Sequence, residues 1–296
     1  MKSLFPYFGG KSSIADVIWK HLGDVGSYVE PFFGSGAVLA ARPHRVTPST
    51  HVELVNDLNG WLVNAWRSVQ HDPAAVMQHL RALSYSEADL RAAKRLVYSK
   101  DLSEQLEDLD WHDARIGAYW LAIMCGFVAT DGGSNNAKGS LRTGNKGQGV
   151  HRPDFSLSEI EAWSHRMQRV RIMQGPWQRC VSSRGRMCGF SSHEVGVYLD
   201  PPYTDGTMDT YGERHDATPA LESAQWAVEH GDDPAMRIIY SGYEGTVEFP
   251  DTWRVIEWKA SEGYGRTGGT TGRENAHRER LWLSPHCLDD PQPTLF

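Results

Sequence analysis

The segment from Tyr28 to Asp57 constrains the fold more than any other part of this 296-residue chain. Tyr28-Val29-Glu30 has the β-branched and aromatic character of a short strand. It runs directly into Pro31-Phe32-Phe33-Gly34-Ser35-Gly36, where two glycines permit a tight turn and close approach of a ligand to the backbone. An alanine-rich stretch, Ala37 to Ala41, reads as a helix stopped at Pro43. Residues 51–56 (His-Val-Glu-Leu-Val-Asn) read as a second strand, and it ends at an acid, Asp57. Strand, glycine turn, helix, strand, acid is the opening of an α/β doubly wound sheet. Upstream, Ser13-x-x-Asp16 fits a capping box for a helix carrying Ile14, Val17, Ile18 and Leu22.

After residue 58 the pattern becomes helical. Leu62, Trp66 and Val69 share a face up to Pro73, Ser86-x-x-Asp89 caps another helix, and Tyr119 to Cys125 reads as a buried one. Residues 131–153 form a long polar loop rich in Gly and Asn, and long loops in compact proteins are functional or disordered. Ser156-x-x-Glu159 caps a helix whose apolar positions extend from Leu157 through Val170, with Arg166, Arg169 and Arg171 opposite. From residue 194 the α/β pattern returns, with strands at 195–199, 237–240, 253–258 and 279–284 and a helix near 218–230. The expected architecture is one α/β domain, residues 1–60 and 191–296, split by a mainly helical insertion at 61–190.

The chain carries 30 basic and 37 acidic residues, a net charge of −7. That balance hides a basic stretch: residues 132–190 hold ten Lys and Arg against Asp154, Glu159 and Glu161. Such a stretch can neutralise several phosphates, or it is a solvated basic face with no partner. Mean hydropathy is negative and no apolar run is long enough for a membrane span. The first residues lack the apolar core of a signal peptide. The four cysteines are far apart and never in C-x-x-C spacing, so a reduced, cytoplasmic compartment is expected, without a Cys-rich metal site.

Two familiar motifs fail. Gly10-Lys11-Ser12 resembles the tail of a phosphate-binding loop, but the required upstream glycine is Phe5. Gly34-Ser35-Gly36 begins like a dinucleotide fingerprint, but Leu39 occupies the third glycine position, which removes a nucleotide-dependent oxidoreductase. What remains is a nucleotide-like cofactor site without a pyrophosphate clamp. Asp57 is placed to accept ribose hydroxyls; alternatively Asp57-Leu58-Asn59 is a helix cap. The strand at 195–199 ends in Asp200-Pro201-Pro202-Tyr203. Two prolines lock the chain and leave carbonyls and a carboxylate as an acceptor cluster suited to an exocyclic amine, and Tyr203 offers a stacking face for a flipped base. Read blandly, the same four residues are a strand-end turn.

Phe5-Pro6-Tyr7-Phe8-Gly9-Gly10-Lys11, Tyr28 to Gly36, Val55-Asn56-Asp57-Leu58-Asn59 and Asp200-Pro201-Pro202-Tyr203 occur in the order found in the Dam-like (D12 class) DNA adenine-N6 methyltransferases, which this chain resembles. Glu279 to Pro285 looks like the last strand of such proteins. The resemblance implies a Rossmann-like S-adenosylmethionine-dependent methyltransferase sheet with a target-recognition insertion. It implies that Tyr7, Lys11, Glu30, Pro31, Gly34, Gly36, Asp57 and Asp200 contact the cofactor, and that Asp200, Pro201, Pro202 and Tyr203 serve catalysis on a flipped adenine. Tyr7 departs from the Trp of many relatives, and either ring can pack on the cofactor. Double-stranded DNA is the expected partner, read by Asn135, Asn136 and Arg142, with Lys138, Lys146, Arg166, Arg169 and Arg171 on the backbone. A monomer, with or without a cognate restriction enzyme, is expected, and no metal. The alternatives are methylation of another amine, cytosine N4, RNA adenine or a protein amide, and a non-catalytic DNA-binding relative.

Overall fold

The computed structural model describes residues 1–7, 10–43, 52–108, 110–128, 140–141, 153–182, 194–202, 218–258 and 278–289. In chain order these form α1 (Ala15–Leu22), β1 (Ser27–Glu30), α2 (Ala37–Ala41), β2 (Val52–Asp57), α3 (Gly60–His71), α4 (Pro73–Ala82) and α5 (Glu87–Tyr98). A 3₁₀ turn at Gln105–Glu107 leads to α6 (Ala114–Gly126), β3 (Phe127–Val128), β4 (Ser140–Leu141), α7 (Leu157–Met167), β5 (Val170–Gln174) and the single turn α8 (Gln178–Val181). The last third supplies β6 (Val195–Leu199), α9 (Thr218–His230), β7 (Met236–Tyr243), β8 (Arg254–Glu257) and β9 (Glu279–Leu283).

Seven strands build one sheet in the order β5-β2-β1-β6-β7-β9-β8, and β3 pairs with β4 apart from it. The five strands from β5 to β7 are parallel; β9 runs antiparallel between β7 and β8. From β1 the chain proceeds to β2 on one side, and from β6 to β7 on the other. Their shared boundary is therefore the switch point, where open α/β sheets form a crevice beyond the C-terminal strand ends.

Every residue of β1 and β6 is buried, as parallel strands covered on both faces must be. Strand alternation divides their side chains between two cores. Tyr28, Val55, Tyr198, Ile239, Leu281 and Leu283 share one with Ile18, Leu39, Leu62, Val76, Leu90, Trp120 and Ile160 of the surrounding helices. Val29, Leu54, Val197, Leu199, Ile238, Tyr240 and Trp282 face the other, with Trp177, Cys180, Ala227 and Trp253. Within the first core, Trp66 of α3 lies 5.6 Å from Phe5, 5.4 Å from Phe33 and 4.7 Å from Trp163, ring centre to ring centre. This aromatic knot ties the N-terminal segment, the glycine turn, α3 and α7 into one body. Each such buried ring contributes on the order of 1.5–3 kcal/mol of burial.

Local signals explain most elements. Ser86 caps α5 by accepting from Asp89 N, and Ser156 with Glu159 completes a capping box on α7. Three expectations need correction. Ser13 does not cap α1; Ile14 is the N-cap residue and makes no side-chain bond there. The helix expected to continue through Val170 ends at Met167, because Val170 to Gln174 pair in parallel with β2. Consequently part of the stretch 61–190 belongs to the sheet itself, and α3 packs on β2 and β5.

Candidate active site

The glycine turn after β1 is held from four directions. Gly34 and Gly36 adopt φ of +49° and +67°, conformations that other residues reach only with strain. A Cβ on Gly34 would sit 2.8 Å from the Tyr7 ring, and one on Gly36 2.8 Å from Phe33. The Gly34 N–H donates to Asp57 Oδ2 at 3.0 Å, while the Gly34 carbonyl accepts from Trp66 Nε1 at 3.0 Å. Asn56 Nδ2 donates to the Pro31 and Gly175 carbonyls, at 3.0 and 2.9 Å, and Phe33 N–H donates back to Asn56 O at 2.9 Å. Tyr7, Pro31, Gly34, Gly36 and Asp57 thus come together around this turn.

The helix-cap alternative for Asp57 is resolved. Asn59 caps α3, accepting from Trp61 and Leu62 N–H. Asp57 instead accepts from Gly34 and, through Oδ1, from Asn59 N–H at 2.9 Å. Burial pushes its carboxyl above the ordinary range, and the backbone donors Asn59, Gly34 and Leu58 oppose that rise. Asp57 also lines a cleft of about 360 Å³ with Leu58, Asn59, Trp61, Leu102 and Gln174.

The second half of the site lies at the end of β6. Lys11 Nζ contacts Asp200 Oδ2 at 3.0 Å, with Lys11 only 3% and Asp200 18% exposed. The Lys11 ammonium also lies 5.9 Å from the centre of the Trp258 ring. Glu30, buried at the end of β1, accepts from Tyr28 OH through Oε2 at 2.9 Å. Burial holds its carboxyl well above the ordinary range; the Tyr28 bond pulls the other way, and the Asp200 charge adds to the rise. Pro201 is buried and Pro202 exposed; Tyr203 lies outside the described residues.

Sequence reasoning missed three members of this cluster: Glu279, Tyr198 and Trp258. Tyr198 shares its sheet face with Tyr28 and reaches toward Asp200 and Glu30 electrostatically. Glu279 is buried, and its carboxyl is pushed up to about 7 by burial, with Lys11 lowering and Asp200 raising it. The parity of β9, with Leu281 and Leu283 facing the core, was the available signal.

The expected DNA contacts fare differently. Arg166 is not on an open face: its two guanidinium nitrogens each lie 2.7 Å from a Glu53 oxygen, and Nη2 also donates to Leu39 O. Glu53 is held in turn by Arg42 at 2.9 Å. A charge paired on both sides inside the fold ties α7 to β2 and α2, which corrects its assignment to phosphate contact. Arg169 is exposed in the turn after α7, and Arg171 is exposed on the edge strand β5. Asn135, Asn136, Lys138, Arg142 and Lys146 lie outside the described residues. Among the described residues no cluster of His, Cys, Asp and Glu could hold a metal ion, and no helix is long and apolar enough to cross a membrane.

Acids and a glycine turn thus gather at the switch point of a mainly parallel sheet. Residues 7–220 match the D12 class N6 adenine-specific DNA methyltransferase family, and the chain belongs to that family. It is 25% identical over 206 residues to the DNA N-6-adenine-methyltransferase of Escherichia phage P1, covering 68% of this chain and 24% of that protein. It is 24% identical over 209 residues to the DNA adenine methylase of Vibrio cholerae, covering 68% and 65%. It is 26% identical over 217 residues to the retron Ec67 DNA adenine methylase of Escherichia coli, covering 71% and 66%. The matches therefore span less than two thirds of each relative's own length.

Proposed function

We propose that this chain transfers a methyl group from S-adenosylmethionine to adenine N6 in double-stranded DNA. The observation that carries this reading is the buried Lys11–Asp200 pair at the end of β6, on the same sheet edge as the Gly34 turn pinned to Asp57. The residues fit the cofactor. Asp57 lines a cleft and has acceptor capacity beyond its backbone bonds, which suits ribose hydroxyls. The turn offers backbone where a Cβ would clash, which suits a ligand passing close by. Asp200, 18% exposed, supplies the negative charge that a sulfonium or an ammonium requires, and buried Glu30 offers a carboxyl acceptor beside it. When bound, S-adenosylmethionine supplies an electrophilic methyl group.

The chain's own residues do the rest by position. Lys11 fixes the Asp200 carboxylate, so that its free acceptor sites and the Pro201 carbonyl hold the two protons of an exocyclic amine. That arrangement draws the nitrogen lone pair out of conjugation and aims it at the methyl group. Tyr203 would stack on the flipped base, which offsets an extrusion cost of a few kcal/mol. In this reading the sheet order, with antiparallel β9 inserted beside β8, is a Rossmann-like methyltransferase sheet, and the stretch between α6 and α7 reads the target. Asn135, Asn136 and Arg142 would contact bases, and Lys138, Lys146, Arg169 and Arg171 phosphates. The enzyme would work as a cytoplasmic monomer, with or without a cognate restriction enzyme.

The test is incubation of the protein with duplex DNA and methyl-labelled S-adenosylmethionine, followed by nucleoside digestion and mass spectrometry. Label in N6-methyladenine supports the reading; label in N4-methylcytosine alone, or none in DNA, overturns it.

A further inference from the structure

We propose that Glu279 is a positioning residue of this site: a third carboxylate that competes with Asp200 for the Lys11 ammonium and so sets how strongly Asp200 accepts from the substrate amine. The inference rests on the methyl-transfer reading above and adds to it a residue, and a pH response, that the four sequence motifs do not contain.

Topology places Glu279 first. Because β9 runs antiparallel to β7, its opening residue lies where the parallel strands end. The register pairs Glu279 with Tyr243 and Leu281 with Ser241 across β7 and β9, and Tyr240 with Leu199 across β7 and β6. Asp200 thus stands level with Ser241, and Glu279 lies two strands away, at the same end of the sheet. Alternation with Leu281 and Leu283 turns it to the face that also holds Tyr28 and Tyr198.

Its surroundings are those of a group kept for use. Glu279 is 8% exposed, and its Oε2 is buried with no hydrogen-bond partner among the described residues. Native proteins leave few such atoms, and each calls for an explanation. The two arginines flanking it in sequence have other partners. Arg280 turns to Glu244 at 2.6 Å and Glu257 at 3.7 Å, and donates to the Glu279 backbone carbonyl. Arg278 lies over the Tyr243 ring. Among the described residues, Lys11 lowers the Glu279 carboxyl and Asp200 raises it, with the Tyr198 hydroxyl coupled to the same group. Trp258, whose backbone N–H reaches the Glu279 carbonyl at 3.5 Å, places its ring beside Lys11. The Lys11 charge therefore acts on both carboxylates, in contact with Asp200 and at longer range on Glu279, beside the Trp258 ring.

The consequence is a switchable acceptor. With Glu279 ionised, the ammonium is shared, and Asp200 keeps more of its charge for the amine. With Glu279 protonated, Lys11 is committed to Asp200, and the acceptor weakens. Its carboxyl, pushed up to about 7, sets where this change falls.

Two measurements test it. Single-turnover methyl transfer between about pH 5.5 and 8.5 should show an acid limb centred near 7 in the unaltered protein. Glu279→Gln should lack that limb and run roughly tenfold slower at the alkaline end, with Glu279→Asp restoring a limb. A Glu279→Gln enzyme with the original rate and limb overturns the proposal. Independently of activity, carboxyl-¹³C glutamate NMR should show the Glu279 resonance titrating at higher pH in Lys11→Met and at lower pH in Asp200→Asn. A titration indifferent to both overturns the coupling. An unaltered protein that shows the coupling but methylates no DNA adenine refutes the substrate reading, and with it the catalytic half of this inference.

Discussion

Lys11→Met removes the ammonium that contacts Asp200 at 3.0 Å and acts electrostatically on Glu279, while keeping an unbranched apolar stem of similar length. In the native protein Lys11 is 3% exposed and its partner Asp200 18%. Breaking a fully buried pair by deleting one member costs about 3–5 kcal/mol, because the survivor stays desolvated and uncompensated. Partial water access to Asp200 argues for the lower end, about 3 kcal/mol. If that penalty fell wholly on the transition state, kcat/KM would drop by on the order of 150-fold. The assay is a double-mutant cycle of Lys11→Met and Asp200→Asn, read by urea unfolding and by single-turnover methyl transfer. The double variant should recover much of the stability lost in Lys11→Met, since the orphaned charge is gone, but none of the activity. A coupling energy below about 0.5 kcal/mol in both readouts would refute the pair as the organising contact of the site.

Asp57→Ala should weaken S-adenosylmethionine binding by roughly 1.5–3 kcal/mol in calorimetry and also loosen the Gly34 turn, which loses its carboxylate acceptor. Glu279 binds its proton more tightly folded than unfolded, its carboxyl rising from 4.5 to about 7. Its contribution to stability is therefore full below about pH 4.5 and lost as pH rises through 7, a cost of about 3 kcal/mol at alkaline pH. Relative to the unaltered protein, Glu279→Gln should gain in melting temperature from about pH 5 to pH 8; an unchanged difference across that range contradicts the assignment. Arg166→Ala should destabilise the fold by about 1.5–3 kcal/mol by leaving Glu53 to Arg42, whereas Arg169→Ala should leave stability intact and flatten the salt dependence of DNA binding by about one unit of slope. The reverse pattern would mean that the roles of the two arginines are exchanged.

What the sequence disclosed and what it concealed have separate physical causes. The run from Tyr28 to Asp57 is legible because each boundary is local: a glycine turn, a helix stop at Pro43, an acid closing a strand. Asp200 is legible for the same reason, since a fully buried strand ends abruptly in two prolines. Ser86 and Ser156 announce their helices through side chains that cap within one turn. β5 was hidden because Val170 continues the helical spacing of Leu157, Ile160, Trp163 and Met167, and only pairing with β2 shows that it opens a strand. Arg166 read as a surface charge because its partner, Glu53, is 113 residues distant. Glu279 could be placed on a strand, but not at the site, because that depends on the antiparallel direction of β9. Asn56 and Trp66, which hold the glycine turn from β2 and α3, give no local sign of that task.

The most direct test of the account as a whole compares the unaltered protein with Asp200→Ala, both purified and both confirmed folded by circular dichroism. Each is incubated with duplex DNA and methyl-labelled S-adenosylmethionine, and the recovered nucleosides are separated by mass. The account expects label in N6-methyladenine with the unaltered protein and a loss of about 10³-fold or more with Asp200→Ala, while cofactor binding survives. Methylation by Asp200→Ala within a few-fold of the unaltered rate would contradict it.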